Sequence, residues 1–493
     1  MQRSSGSKEA FRIELLGPWL VLLALLALYL VTLAPSVYPG DPAELVTAAV
    51  TLGVCHPTGY PLYLLLAKMA TVVFAWLEPV TVVNGLSTLF LIVALGLLVD
   101  VQRRLDIPPV VVAASLALLG TTPPLWNAAT TAEVYTLHTL LLVVVLKLVV
   151  MGGGHPRLVH VFATFGVAGF ALGNHMMSLL LLPGLVLWLG WLWRSCRVPR
   201  TASTVLAVLG CYLLGASIIA VIFVLDRPSA LNYIDQYAIE FPAPVFGDPI
   251  GRIWWLLSGA QYGAGSGMLE SMVSLTYLPR LVSIVGKLGA SNPPLILLGG
   301  LGLVVAGFRK RPPEAQRAAV LVLVAVLIAS LCYLATYTEY FEPVFFGHGY
   351  VACAIGLSFL VTRFVRMPRV RAVVAAGLIL AACVTVGLHI VAIDKGGTEF
   401  YQRETEALLR EVEDTAVLFA TWRNASLLWY ELWVHGSRTD VTVVNALPTN
   451  WLRIADRFRG RPMYFESVPP GAPGGLFVPQ RHFFRFSPPP PRQ

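Results

Sequence analysis

The chain has 493 residues, 56% of them hydrophobic and 13% charged, with a mean hydropathy of +0.72. Soluble domains carry about 25% charged residues, so this composition excludes a wholly soluble protein and places most of the chain in lipid. The formal net charge of +8 gives no case for a nucleic-acid partner, because the basic residues fall in short runs between apolar segments, as orientation signals do.

The first apolar segment, Pro18 to Leu33, lacks a small-residue cleavage site and reads as a retained anchor. Segments long enough to cross about 30 Å of hydrocarbon follow near 82–100, 107–121, 133–151, 158–173, 175–193, 203–224, 293–308, 317–337, 346–364 and 371–392, which predicts about eleven transmembrane helices. Arg103 and Arg104, Arg157, Arg194 with Arg197 and Arg200, Arg309 to Arg311, and Arg363 to Arg371 fall in alternate loops. The positive-inside rule makes those loops and the N-terminus cytoplasmic. This topology requires Tyr60–Trp76, though apolar, to lie along the outer surface rather than span. The other side then receives loop 35–80, loop 122–132, the turn at Asn174, loop 225–292, segment 338–345 and the tail.

Two units are expected: a membrane domain over 1–392, with 35–80 as its functional loop, and a soluble extracytoplasmic α/β domain over 393–493. In the tail, Thr398–Asp414 reads as an amphipathic helix. Ala416–Thr421, Asp440–Asn445 and Pro462–Glu466 read as strands. Pro488–Pro491 marks an extended end. The six cysteines (55, 196, 211, 332, 353, 383) show no CxxC spacing, so neither a disulfide framework nor a zinc site is expected. Only Cys55 is expected to be exposed on the outer side.

Polar residues crowd the outer ends of the spans. Asp41-Pro42-Ala43-Glu44 places two carboxylates one helical turn apart, as a reactive pair or as a capping box on a surface helix. His56, between turn-formers, suits an anion ligand or a plain turn. Glu133, Tyr135 and His138 open one span, where Thr130 and Glu133 also fit a capping box and Trp126 and Tyr135 an aromatic belt. Gly173-Asn174-His175 forms a tight turn in which the histidine has no conformational reason to sit. Tyr337, Glu339, Tyr340, Glu342 and His348 make a further polar group or a solvated loop. Each signal is weak alone, but the topology puts all of them on one face of the membrane.

The string Gly40-Asp41-Pro42-Ala43-Glu44 … Leu52-Gly53-Val54-Cys55-His56-Pro57-Thr58-Gly59-Tyr60-Pro61-Leu62-Tyr63 closely resembles the DUF2723 family of multispanning proteins, which includes the transmembrane protein 260-like protein O-mannosyltransferases. The resemblance continues through Trp126 … Ala132-Glu133-Val134-Tyr135 and Gly173-Asn174-His175. It extends more weakly to Tyr340-Phe341-Glu342-Pro343 and the tail. It implies a mainly α, polytopic GT-C glycosyltransferase fold, a polyprenyl-phosphate sugar as donor, mannose among the candidate sugars, and transfer with inversion to a hydroxyl of a protein, glycan or lipid. Asp41, with Glu44 beside it, is then the catalytic position. His56, Tyr60, Asn174, His175 and Arg280 are candidates for holding the donor. Glu133, Tyr135, His138 and Glu339 are candidates for the acceptor side or for support. No metal or other cofactor is expected beyond the lipid-linked donor. The competing classes are a lipid or glycan transporter or flippase, marked by inverted repeats, interrupted helices and midplane sites that the sequence does not display, and a membrane-anchored binding protein working through its tail.

Overall fold

The computed structural model describes residues 5–152, 157–262, 274, 276–336, 342–472, 476–480 and 483–486. The molecule is a bundle of apolar helices carrying a small α/β tail at one end. Proline opens many of the helices, where its missing N–H has no intrahelical acceptor to lose. In chain order these are α1 (Ser5–Val31), α2 (Asp41–Thr51), α3 (Pro61–Val73), α4 (Pro79–Arg104), α5 (Pro109–Gly120), α6 (Pro123–Ala128) and α7 (Val134–Met151). Further helical segments follow to Ile393.

Among the described residues seven helices are long and apolar enough to cross a membrane, and eight if a bent pair is counted as one span. The apolar stretches Leu15–Val31, Pro109–Gly120 and Leu158–Gly173 are shorter helices at positions where spans are expected. α3 is likewise a shorter apolar helix, its thirteen residues extending about 20 Å at 1.5 Å each. Its first half is buried, while Met69, Val72, Val73 and Trp76 beyond it are exposed.

One helix break departs from the expectation of uninterrupted spans. Tyr277–Ser291 and Pro294–Gly307 meet at 117°. Consecutive prolines at 293 and 294 end the first helix's hydrogen-bond ladder. Asn292 at the corner donates to the Leu118 carbonyl (3.1 Å) and to Thr122 Oγ1 (2.9 Å), which ties the break to the end of α5. Beyond it, a Cβ on Gly302 would lie 1.8 Å from the Gly356 carbonyl oxygen. Only glycine allows these two helices to approach so closely.

The tail folds as a five-stranded mixed sheet in the order β2-β1-β3-β5-β4. β1 (Val417–Ala420), β2 (Thr442–Asn445) and β3 (Met463–Phe465) are parallel, with Val417 in register with Thr442 and Met463. They fall inside the three predicted strands, and the helix Glu399–Glu411 falls inside the predicted helix. β4 (Phe477–Pro479) and β5 (Phe484–Phe486) extend the sheet antiparallel and were not anticipated. Pro488–Pro491 lies outside the described residues.

The tail is not a free appendage. Leu427, Leu428, Trp429 and Tyr430 share a single buried apolar cluster with Ala43, Leu45, Val46, Tyr63 and Leu256. Ser36 donates to Gln402 (2.6 Å), and the amide of Gly40 donates to Ser426 Oγ (2.9 Å). Cys55, expected to be exposed, is fully buried in the same cluster, because its loop is covered by residues 231–256; Cys196 and Cys383 are the exposed thiols.

Candidate active site

α2 begins at Asp41, with Gly40 preceding it at φ +92° and no side chain capping the first turn. The capping box is therefore not formed. Glu44 is instead fully buried and turns to the next loop, where one oxygen accepts the His56 amide (2.8 Å) and the other pairs with His56 Nδ1 (2.5 Å). The second capping box is also absent, since Glu133 itself occupies the position before α7 and Thr130 bonds the Asn127 carbonyl.

The loop between α2 and α3 is held from outside. The Val54 amide donates to the Leu231 carbonyl (2.8 Å), and the Tyr233 amide donates back to the Val54 carbonyl (2.9 Å). A Cβ on Gly53 would sit 2.0 Å from the Leu231 oxygen, so the approach requires glycine. The chain then turns through Gly59 and Tyr60, both at positive φ, into α3.

His56 Nε2 lies 2.9 Å from the Tyr60 hydroxyl and 3.7 Å from Asp41 Oδ2. Tyr60 in turn donates to the Pro57 carbonyl (2.9 Å). With the tyrosine proton so committed, its oxygen accepts from His56, and His56 donates at both nitrogens. Burial alone would lower the pKa of this imidazole, but the carboxylates of Glu44 and Asp41 more than offset burial and raise it to about 9. Burial pushes the Glu44 carboxyl up, and His56 opposes that rise. The arrangement is a cationic imidazole clamped between a sealed carboxylate and a more open one: the Asp41 side chain is 40% exposed and that of Glu44 0%.

Asp41 and His56 open onto a cavity of about 860 Å³. Tyr60, Glu133, Tyr135 and His175 are among its polar lining residues, and Met176, Leu179, Leu180, Val344 and Ile393 among its apolar ones. His175 stacks on Tyr60 with ring centroids 5.5 Å apart. Its Nδ1 accepts the Met177 amide (3.1 Å), which leaves the proton of a neutral ring on Nε2.

Six of the residues expected at the site, Asp41, His56, Tyr60, Glu133, Tyr135 and His175, thus share one cavity. Others lie apart from it. Glu44 stands behind His56. Asn174 is buried and donates to the Val134 carbonyl (3.1 Å), fixing the turn rather than lining the space. His138 is buried 3.4 Å from both His348 Nδ1 and Ser178 Oγ, behind His175, so His348 belongs to the packed interior and not to a solvated loop. Arg280 bonds Thr276 Oγ1 (2.7 Å) and is not among the lining residues. Glu339 lies outside the described residues. Among the described residues no group of three or more His, Cys, Asp or Glu side chains is placed to hold a metal ion.

Sequence reasoning missed four participants. Tyr262, Tyr333 and His389 line the cavity. His389 carried a usable signal, as an ionisable residue inside an apolar span. The fourth is Trp422 of the tail, whose indole Nε1 donates to Asp41 Oδ1 (2.9 Å) across 381 residues of sequence.

The fold is that of the GT-C glycosyltransferases: the chain superposes on the crystal structure of ArnT from Cupriavidus metallidurans bound to undecaprenyl phosphate with a TM-score of 0.57 and 13% identity, covering 95% of this chain and 97% of that one. The same protein in its apo state gives 0.51. Residues 41–198 match the family model described as the protein O-mannosyl-transferase TMEM260 N-terminal domain. Consistent with that match, the chain is 33% identical over 143 residues to the mouse protein O-mannosyl-transferase TMEM260, covering 27% of this chain and 20% of the relative's length. The family-model match spans the part that holds Asp41, His56, Glu133 and His175.

Proposed function

We propose that the protein is an inverting membrane glycosyltransferase that moves a sugar from a polyprenyl-phosphate donor to an acceptor hydroxyl, with Asp41 as general base. One observation carries this reading: of the two α2 carboxylates, only Asp41 lines the cavity, and that cavity is lined by both hydrogen-bonding and apolar side chains. The apolar lining suits a polyprenyl chain. The polar lining suits a phosphate and a sugar.

In the proposed step the acceptor oxygen attacks the anomeric carbon from the face opposite the phosphate. Its proton passes to the Asp41 carboxylate. The bond from the anomeric carbon to the phosphate oxygen breaks, and its electron pair leaves with the polyprenyl phosphate. A phosphate leaves without a general acid but gains from donors aimed at the departing oxygen. His175 fills that role with its Nε2–H, and the His56 imidazolium, whose protons go to Glu44 and Tyr60, adds positive charge, with Tyr60 between the two rings. Glu133 and Tyr135 stand on the acceptor side. The name of the matched relative supports mannose as the sugar and a protein hydroxyl as the acceptor, and the undecaprenyl phosphate of the structural neighbour supports the lipid carrier.

The geometry also supports the orientation. Glu78, at the start of α4, lies 3.7 Å from His435 of the tail, and α4 then runs to Arg103 and Arg104. At 1.5 Å per residue that is about 40 Å, so these arginines stand at the opposite end of the bundle from the tail. The positive-inside rule makes their end cytoplasmic and puts the cavity and tail outside. Protease added to right-side-out spheroplasts should then remove the tail; a protected tail would overturn this placement.

The deciding experiment incubates purified protein with radiolabelled polyprenyl-phosphate sugars, mannose included, and membrane extract. Label is expected in a product of extract plus enzyme, with inverted configuration at the anomeric carbon. The bent helix pair is the one feature a flippase would share; movement of the intact donor across liposomes, with no labelled product, would favour that class.

A further inference from the structure

The tail's contact with Asp41 goes beyond docking. The helix Trp422–Trp433 lies on α2, and its first residue places an indole N–H 2.9 Å from Asp41 Oδ1. Trp422 is not among the residues lining the cavity, so it reaches the carboxylate from behind. Four residues further along the same helix, Ser426 Oγ accepts the amide of Gly40, the residue before Asp41 (2.9 Å). The ring of Trp422 is itself braced, standing edge-on to His56 (5.7 Å), Tyr233 (5.4 Å) and Trp429 (5.8 Å). Asp41 Oδ2, the other oxygen, is the one toward His56 Nε2. The carboxylate is thus anchored at Oδ1 by a donor from the tail, while Oδ2 faces the His56 cation of the membrane domain at 3.7 Å.

We infer that Trp422 is a positioning residue of the active site, so that the tail completes the centre by fixing the Asp41 carboxylate through the indole N–H. This rests on the reading of Asp41 as the base. A general base must lie within hydrogen-bond reach of the proton it takes, and a carboxylate with one anchored oxygen offers the other at a constant angle.

The test uses the full-length protein in nanodiscs, with Trp422→Phe keeping the ring and deleting only the N–H. Turnover is measured with the labelled polyprenyl-phosphate donors, in the wild-type and in the Asp41→Asn background. We expect kcat to fall about tenfold with the donor KM, donor affinity and thermal midpoint near wild type, and the residual turnover of Asp41→Asn to fall no further when Trp422→Phe is added. A merely structural tryptophan would lower turnover by the same factor in both backgrounds. Wild-type turnover in Trp422→Phe overturns the inference, and so does an equal loss in the Asp41→Asn background. Full turnover in Asp41→Asn overturns the assignment of the base and this inference with it.

Discussion

Among the described residues two histidines pair with buried glutamates, and only one of these pairs belongs to the proposed centre. In the first, Glu44 and His56 are joined across the loop between α2 and α3; in the second, Glu431 and His435 are joined one helical turn apart in the tail, at 2.8 Å. Both glutamates are almost fully buried, at 0% and 1% exposure, and both imidazoles are drawn toward the cationic form by their carboxylates. What separates the pairs is the far nitrogen. His56 Nε2 faces Tyr60 and Asp41 at the edge of a large cavity, whereas His435 Nε2 faces Glu78, which is 68% exposed. A clamped imidazole is therefore a structural device that both the membrane domain and the tail use. It becomes chemical only where a further carboxylate and an enclosed space stand beside it.

Several substitutions would break or sharpen this contrast. Asp41→Asn should have the largest effect, lowering turnover by roughly 10²–10⁴ while leaving donor binding and the thermal midpoint near wild type. Glu78→Gln, the equivalent change beside the second pair, should leave turnover unaltered. If the two variants behaved alike in the labelled-donor assay, the distinction between the pairs would collapse.

His56→Ala comes next. Removal of the cationic imidazole beside the donor phosphate costs about 1.5–3 kcal/mol, the range of a charge-assisted contact, or roughly 10–100-fold in affinity for the polyprenyl-phosphate sugar. The raised pKa of His56 also fixes a pH dependence. A group whose folded pKa lies above its unfolded value stabilises fully below the latter and loses that contribution as pH rises through the former. The thermal midpoint should therefore fall as pH rises from about 6.5 to about 9, and His56→Gln should flatten that slope. A midpoint that climbs over this window would contradict the clamped cation.

His175→Ala should weaken donor binding by roughly 2–10-fold, as expected for a neutral hydrogen bond of about 0.5–1.5 kcal/mol; unchanged affinity would return His175 to a packing role. His435→Ala should have the smallest effect on the reaction, with no change in turnover and an unfolding shift of about 1–3 kcal/mol, because it leaves the buried Glu431 carboxyl without its partner. A loss of turnover there would mean that the second pair acts on the site after all.

The extent to which the sequence disclosed this arrangement follows the range of the interactions. Asp41, His56, Tyr60, Glu133 and His175 were legible because each sits at the end of an apolar run where a polar residue is costly. The strands 417–420, 442–445 and 463–465 were legible from their apolar β-branched and aromatic content. The roles of Asp41 and Glu44 were not separable, since two positions one turn apart share a helix face and only the returning loop at His56 turns Glu44 inward. Asn174 and His138 read as site residues because spacing shows proximity to the surface and not what covers it. β4 and β5, three residues each and flanked by glycine and proline, carry too little periodicity to be found. Trp422 had no local signal at all, since its partner lies in another unit.

The bridge between Val54 and Asn232 has a consequence for biogenesis. The Leu231 amide reaches back to Thr51 Oγ1 across 180 residues, and the Leu231 carbonyl takes the amide of Val54. At a synthesis rate of about 5–20 residues per second, the loop carrying His56 waits roughly 10–40 s after it emerges before the strand that seals it exists. During that interval several further spans must enter the membrane while Glu44 and His56 remain open to water. The nascent chain is thus least protected at its most distinctive motif, which gives the membrane insertion machinery and its chaperones an interval in which to shield this loop before the protein can do so itself.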